Sequence, residues 1–188
     1  GGKSPAIVLD GADIEVTARR LIWGKGLNAG QTCIAPNHLL VQDNLRSSLV
    51  TAMKKIITNF YSENPLESEN FASIINKNHF NRLKHLIMGA KSKGQILMGG
   101  DIDESKNRIS PTLIKIENKT DPIMEEEIFG PILPILNIKN LDEAIADLKE
   151  IAKPLAIYLF GGTKIEAEKV ITHTSSGTLC INDVILQA

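Results

Sequence analysis

The chain has 188 residues, 43% of them hydrophobic and 23% charged, with a formal net charge of −1. That length can bury one sizeable core, and the near-neutral charge argues against a nucleic-acid binder, which would show a basic excess or stripe. No apolar run approaches the roughly 20 residues needed to span a bilayer.

In chain order, Pro5 to Leu9 is a short apolar run ending at Asp10-Gly11, which predicts a buried strand. Ile14, Ala18, Leu21, Ile22 and Lys25 follow as a helical stripe, with Asp13 as its N-cap and Gly24, Gly26 and Gly30 weakening the far end. His38 to Gln42 reads as a strand. Leu45, Leu49, Ala52, Met53, Ile56, Ile57 and Phe60 keep the i, i+4, i+7 rhythm of an amphipathic helix.

Tyr61 to Asn70, with Pro65 inside it, reads as a surface loop, and Phe80, Leu83, Ile87 and Ala90 mark another helix. Gln95 to Met98 and Pro111 to Ile116 predict short strands on either side of a polar turn region, Gly99 to Asn107. Then come a strand over Ile132 to Ile138 and a helix on Leu141, Ala144, Ile145, Leu148 and Ile151, opened by Asn140 and Glu143. Leu155 to Phe160 is the next strand. Thr163 to Glu166 is a capping box for a helix carrying Ile165, Val170 and Ile171, and Gly177 to Asn182 reads as a last strand.

Mostly apolar strands separated by helices imply an α/β fold, a mainly parallel sheet covered by helices on both faces. With no internal repeat or linker, residues 1–188 read as one domain.

Two cysteines, Cys33 and Cys180, and four histidines show no ligand spacing, so no metal site is expected. The histidines read as surface or structural residues, and Cys180, inside an apolar strand, is assigned to the core. A reduced, cytoplasmic setting is the expectation. Cys33 lies in Asn28-Ala29-Gly30-Gln31-Thr32-Cys33-Ile34-Ala35-Pro36, between a helix and a strand, where α/β folds tend to hold catalytic groups. For a lone cysteine the bland alternative is a small buried hydrophobe.

Glu125-Glu126-Glu127-Ile128-Phe129-Gly130-Pro131 sets three acids beside an aromatic, just before a strand. Such a run is ordinarily a solvated face. The functional alternative is a carboxylate accepting from sugar hydroxyls, with the aromatic ring packed beside a ligand ring. Gly1-Gly2-Lys3-Ser4 lacks the spacing of a phosphate loop, and a strand follows it where a helix should begin.

Together these segments resemble the aldehyde dehydrogenase superfamily, over essentially the whole chain. The resemblance rests on Gly1-Gly2-Lys3-Ser4-Pro5, on Gly30-Gln31-Thr32-Cys33 and on Glu126-Glu127-Ile128-Phe129-Gly130-Pro131. Lys153-Pro154-Leu155-Ala156 leading into Tyr158 completes the series, in that order. Trp23-Gly24-Lys25, Cys33-Ile34-Ala35-Pro36 and Asn182-Asp183-Val184 look most like the class 3 branch, which favours medium and long aliphatic or aromatic aldehydes.

The resemblance implies Cys33 as nucleophile, forming a thiohemiacetal and then a thioester with the aldehyde. It implies NAD or NADP as cofactor, with Glu127 on the nicotinamide ribose and Phe129 against the nicotinamide end. It also implies a homo-oligomer. In that family the general-base glutamate, the oxyanion asparagine and the dinucleotide-binding domain precede the Gly-Gly-Lys segment. A Pro-Phe-Gly-Gly segment follows the position of Ala188. Residues 1–188 contain none of these, so the isolated chain is expected to lack turnover. A coenzyme A-acylating dehydrogenase and a non-catalytic domain with a retired site stand as alternatives.

Overall fold

The apolar run after Pro5 forms β1 (Ala6–Val8), with every residue buried. The structure, a computed structural model, describes residues 2–187, so Gly1 of the first motif and Ala188 lie outside the described residues. Asp13 caps α1 (Ile14–Gly26), its side chain accepting from the Val16 amide, and the predicted stripe through Leu21, Ile22 and Lys25 is buried. Gly26 does not break this helix. A Cβ there would lie 1.8 Å from the Tyr61 hydroxyl, so the missing side chain is what lets the next helix approach.

β2 (Leu39–Gln42) leads into α2 (Arg46–Tyr61), which buries Leu49, Val50, Met53, Ile56 and Ile57. Each such side chain contributes about 1.5–3 kcal/mol on burial. Next come α3 (Lys77–Ser92), β3 (Ile96–Met98) and β6 (Thr112–Ile116), with a hairpin of β4 (Ile102–Asp103) and β5 (Arg108–Ile109) between the last two. The chain closes with β7 (Ile132–Ile138), α4 (Leu141–Glu150), β8 (Ala156–Phe160), α5 (Lys164–His173) and β9 (Thr178–Ile181).

Among the described residues seven strands form one sheet in the order β3-β6-β7-β2-β1-β8-β9, and within it only the β3–β6 pair is antiparallel. The helices pack around this mainly parallel sheet, as the apolar strands and intervening helices predict. Among the described residues no helix is long and apolar enough to cross a membrane.

Two expectations are corrected. The Gly99–Asn107 region holds the β4–β5 hairpin rather than turns alone. Its two-residue strands are too short to show a period, and Asp103 Oδ1 closes the turn by accepting from the Ser105 and Lys106 amides at 2.9 and 3.1 Å. The expected α5 forms behind its Thr163–Glu166 capping box, and within it only Val170 is buried, while Ile165 and Ile171 are 76% and 60% exposed. Residues five and six apart do not share a face when a turn takes 3.6 residues. Cys180 is half-buried on the edge strand β9, at the margin of the core rather than within it.

Candidate active site

Parallel strands all begin at the same edge of a sheet. The four segments carrying the family-like motifs immediately precede β1, β2, β7 and β8, and these are consecutive neighbours in the order β7-β2-β1-β8. Stretches up to 150 residues apart in sequence therefore meet along one edge. It is the amino-terminal edge, whereas open α/β sheets usually place ligands beyond the carboxyl ends.

The meeting is tied by hydrogen bonds. The Asn37 amide donates to Ser4 O at 2.8 Å, the Leu155 amide to Lys3 O at 3.3 Å, and the Ala156 amide to Ser4 Oγ at 3.3 Å. The buried Asn37 side chain accepts the Ile128 amide at 2.9 Å, coupling the cysteine loop to the residue after Glu127.

Cys33 stands exposed on a turn closed by the Ala35 amide donating to Thr32 O at 3.0 Å. Among the described residues its own backbone N–H has no acceptor. The loop reaches this turn through three successive left-handed residues, Asn28, Ala29 and Gly30, with φ of 51°, 52° and 74°. Such a conformation costs an alanine about 1–2 kcal/mol, so the surroundings must enforce it. Gln31 helps by donating to Asn28 O (2.9 Å) and Ser73 O (3.1 Å) and accepting from the Ile75 amide (2.9 Å). Behind the turn, the fully buried Tyr158 donates its hydroxyl to Ile34 O at 2.5 Å. Burial pushes the Tyr158 phenol up, so it stays a donor.

The second loop carries Glu127, half-buried, and Phe129, 37% exposed with φ of 51°. The two loops touch backbone to backbone. A Cβ on Gly30 would lie 2.2 Å from Gly130 O, so only glycine fits there. From α3, His79 Nε2 lies 2.6 Å from Phe129 O, and Arg82 donates to Ile128 O while pairing with Glu126 at 3.6 Å.

Two cationic side chains are desolvated behind these loops. Burial pushes Lys25 down to about 7, opposed by the negative charge of Glu127. Burial lowers Lys3 as well, opposed by Glu125. Beside them, His38 is driven down to about 3, first by burial and then by the positive charges of Lys3 and Lys25, so it is neutral. His38 is thus an interior group rather than a surface one.

The structure brings Cys33, Glu127 and Phe129 to one edge of the sheet. The sequence did not single out Asn37, whose hydrogen bonds leave no periodic trace. His79 and Arg82 did carry a signal, because residues three apart share a face of a helix. Among the described residues no three His, Cys, Asp or Glu side chains converge on a metal position.

This arrangement sets an exposed cysteine and an acidic, aromatic loop along one edge of an α/β sheet. The sequence matches the aldehyde dehydrogenase family profile over residues 1–188, and the chain belongs to that family. It is 42% identical over 186 residues to aldehyde dehydrogenase family 3 member A2 of Mus musculus, covering 99% of this chain and 38% of that protein. It is 40% identical over 186 residues to the dimeric NADP-preferring aldehyde dehydrogenase of Rattus norvegicus, covering 99% of this chain and 40% of that one. The structure of substrate-bound Staphylococcus aureus AldH superposes with a TM-score of 0.96 at 42% identity, over 100% of this chain and 40% of that one. The chain thus spans about two-fifths of the length of these relatives.

Proposed function

We propose that residues 1–188 are the catalytic domain of an NAD(P)-dependent aldehyde dehydrogenase that oxidises aldehydes to carboxylic acids through Cys33. The observation that carries this reading is the contact between the Cys33 loop and the Glu127–Phe129 loop, sealed at Gly30 and Gly130.

In this reading the Cys33 thiolate attacks the aldehyde carbon, forming a C–S bond and moving the carbonyl electron pair onto oxygen. The unpartnered Cys33 N–H is a donor for that oxyanion. A thiolate suits the step because it is nucleophilic near neutral pH and its thioester is readily hydrolysed. Glu127 and Phe129 fit the nicotinamide riboside: a half-buried carboxylate accepts from ribose hydroxyls, and a partly exposed ring packs beside the base. Held there by Glu127 and Phe129, the dinucleotide would supply the acceptor for the hydride lost from the thiohemiacetal carbon. Water then cleaves the resulting thioester, releasing the acid and restoring the Cys33 thiol.

Residues 1–188 span about two-fifths of the length of their relatives, and we propose that they do not turn over alone. We extend the proposal to a homo-oligomeric full-length protein in the cytoplasm. The exposed Ile165, Ile171 and Ile181, the word "dimeric" in one relative's name and the two free thiols support that extension. The exposure of Cys33 favours catalysis over a retired site, which would bury it.

The test compares the full-length polypeptide, its Cys33→Ala variant and residues 1–188 for NAD- and NADP-dependent aldehyde oxidation. Activity in the first alone supports the proposal. Activity in the Cys33→Ala variant refutes the role of the thiol. Acid formation that requires coenzyme A assigns the acylating alternative.

A further inference from the structure

A cavity of about 240 Å³ lies between α4 and the β2–β7 part of the sheet, away from Cys33. Its apolar lining is Leu40 and Leu136, register partners on β2 and β7, with Met124, Leu148 and Ile151. Lys119 also lines it, bonding Asp147 at 2.9 Å and Glu150 at 2.6 Å, so two carboxylates share one cation and this part of the lining keeps a net negative charge.

Three polar side chains remain in the lining, and the Thr120 hydroxyl is committed to Asn118 Oδ1 at 2.5 Å, which leaves Lys3 and His38. Lys3 Nζ donates to Met124 O and to Glu125 O (3.0 Å), and an ammonium has three N–H groups, so one is left over. No carboxylate pairs with Lys3 within 4.0 Å among the described residues.

The tautomer of His38 follows from its neighbour. Asn37 Oδ1 is committed to the Ile128 amide, so the Asn37 amide nitrogen faces His38 Nδ1, at 3.2 Å. Nδ1 is therefore the acceptor, and the ring proton sits on Nε2. Among the described residues Nε2 has no protein partner, and although His38 is only 3% exposed this atom is not one of the sealed, unpaired ones, so it opens into the chamber. Two donors with free capacity that open into a largely apolar chamber suit an anionic acceptor on an apolar stem.

We propose that this cavity binds one short aliphatic carboxylate, its head accepting from Lys3 Nζ and His38 Nε2–H and its chain lying on Leu40, Leu136 and Leu148. Both head contacts lead to the cofactor loop: Lys3 holds the carbonyls of Met124 and Glu125, and His38 reaches the Ile128 amide through Asn37. Occupancy therefore alters the setting of Glu127. That consequence rests on the cofactor role proposed for Glu127, while the binding itself does not. The carboxylate is of the same class as the product of the proposed reaction, which makes the site a sensor of accumulated acid.

The test uses the full-length protein and a photoreactive diazirine analogue of octanoate. Labelling is expected on peptides carrying Leu136 or Leu148, suppressed by octanoate and not by octylamine. Leu148→Trp, which fills the chamber, is expected to cut that labelling about tenfold, and His38→Phe by a similar factor for the loss of a hydrogen bond to a charged group. Labelling confined to other peptides overturns the site, as it would if the remaining polypeptide fills the chamber. Equal competition by octylamine, or labelling unchanged in a folded Leu148→Trp, overturns it too. If Leu148→Trp does not fold, the wild-type map and the competition decide. Octanoate is expected to shift the cofactor Kd about fivefold in the wild type and not in Leu148→Trp. Site labelling without that shift overturns the coupling alone. Absence of any cofactor binding overturns the function proposed above instead.

Discussion

Replacing Gly30 with alanine would set a methyl group 2.2 Å from Gly130 O and 2.6 Å from its carbonyl carbon, at a residue whose φ is +74°. The left-handed backbone costs an L-alanine about 1–2 kcal/mol. The clash adds a further cost of about 1–3 kcal/mol, because the atoms approached are backbone and cannot swing away as a side-chain tip does. A loss of about 2–5 kcal/mol lowers Tm by roughly 5–15 °C in a domain of this size. The two loops would also be forced apart, separating Cys33 from Glu127. Thermal denaturation measures the first effect, and cofactor affinity of the full-length protein measures the second. A Gly30→Ala protein melting within 1 °C or so of the wild type, with unchanged cofactor affinity, would refute the argument that this backbone contact joins the two halves of the site.

In an iodoacetamide pulse at neutral pH, the exposed Cys33 is expected to label ahead of Cys180, which is half-buried and whose thiol burial pushes up. Equal rates in peptide mass spectrometry would contradict that order. Tyr158→Phe removes the donor to Ile34 O and is expected to cost about 1–3 kcal/mol in chemical denaturation, since a buried carbonyl loses its partner. Lys25→Met should stabilise the fold near pH 7 and flatten one pH window. With the folded pKa near 7, the unfolded chain binds the extra proton up to its ordinary 10.5, so wild-type stability rises with pH across that interval. Urea titrations at pH 6.5 and 9 with the same slope in both proteins would count against it.

Much of the fold is legible from residue order. The stripe from Ile14 to Lys25, the rhythm from Leu49 to Ile57, and the caps at Asp13, Asn140 and Thr163 are local signals, and the helices they predict form within one or two residues of the expected ends. Cys33, Glu127 and Phe129 stand out through family-like motifs, each read within a few neighbours. Their convergence is not local. It follows from a crossover that takes the chain from β1 to one edge of the sheet, back through β7, and over to β8.

Cys180 shows the limit most plainly. Its neighbours Leu179 and Ile181 are apolar, yet β9 is an edge strand, and an edge leaves half-exposed what a central strand would bury. His38 shows the converse: a polar residue beside an apolar strand, neutral and enclosed because Lys3, Lys25 and Asn37 arrive from elsewhere in the chain. The linear pattern determined which segments are helix or strand and which side chains could carry chemistry, because propensity and periodicity act over a few residues. Only the tertiary structure decided which of those side chains meet and what charge they hold, because strand order and desolvation depend on contacts between residues far apart in sequence.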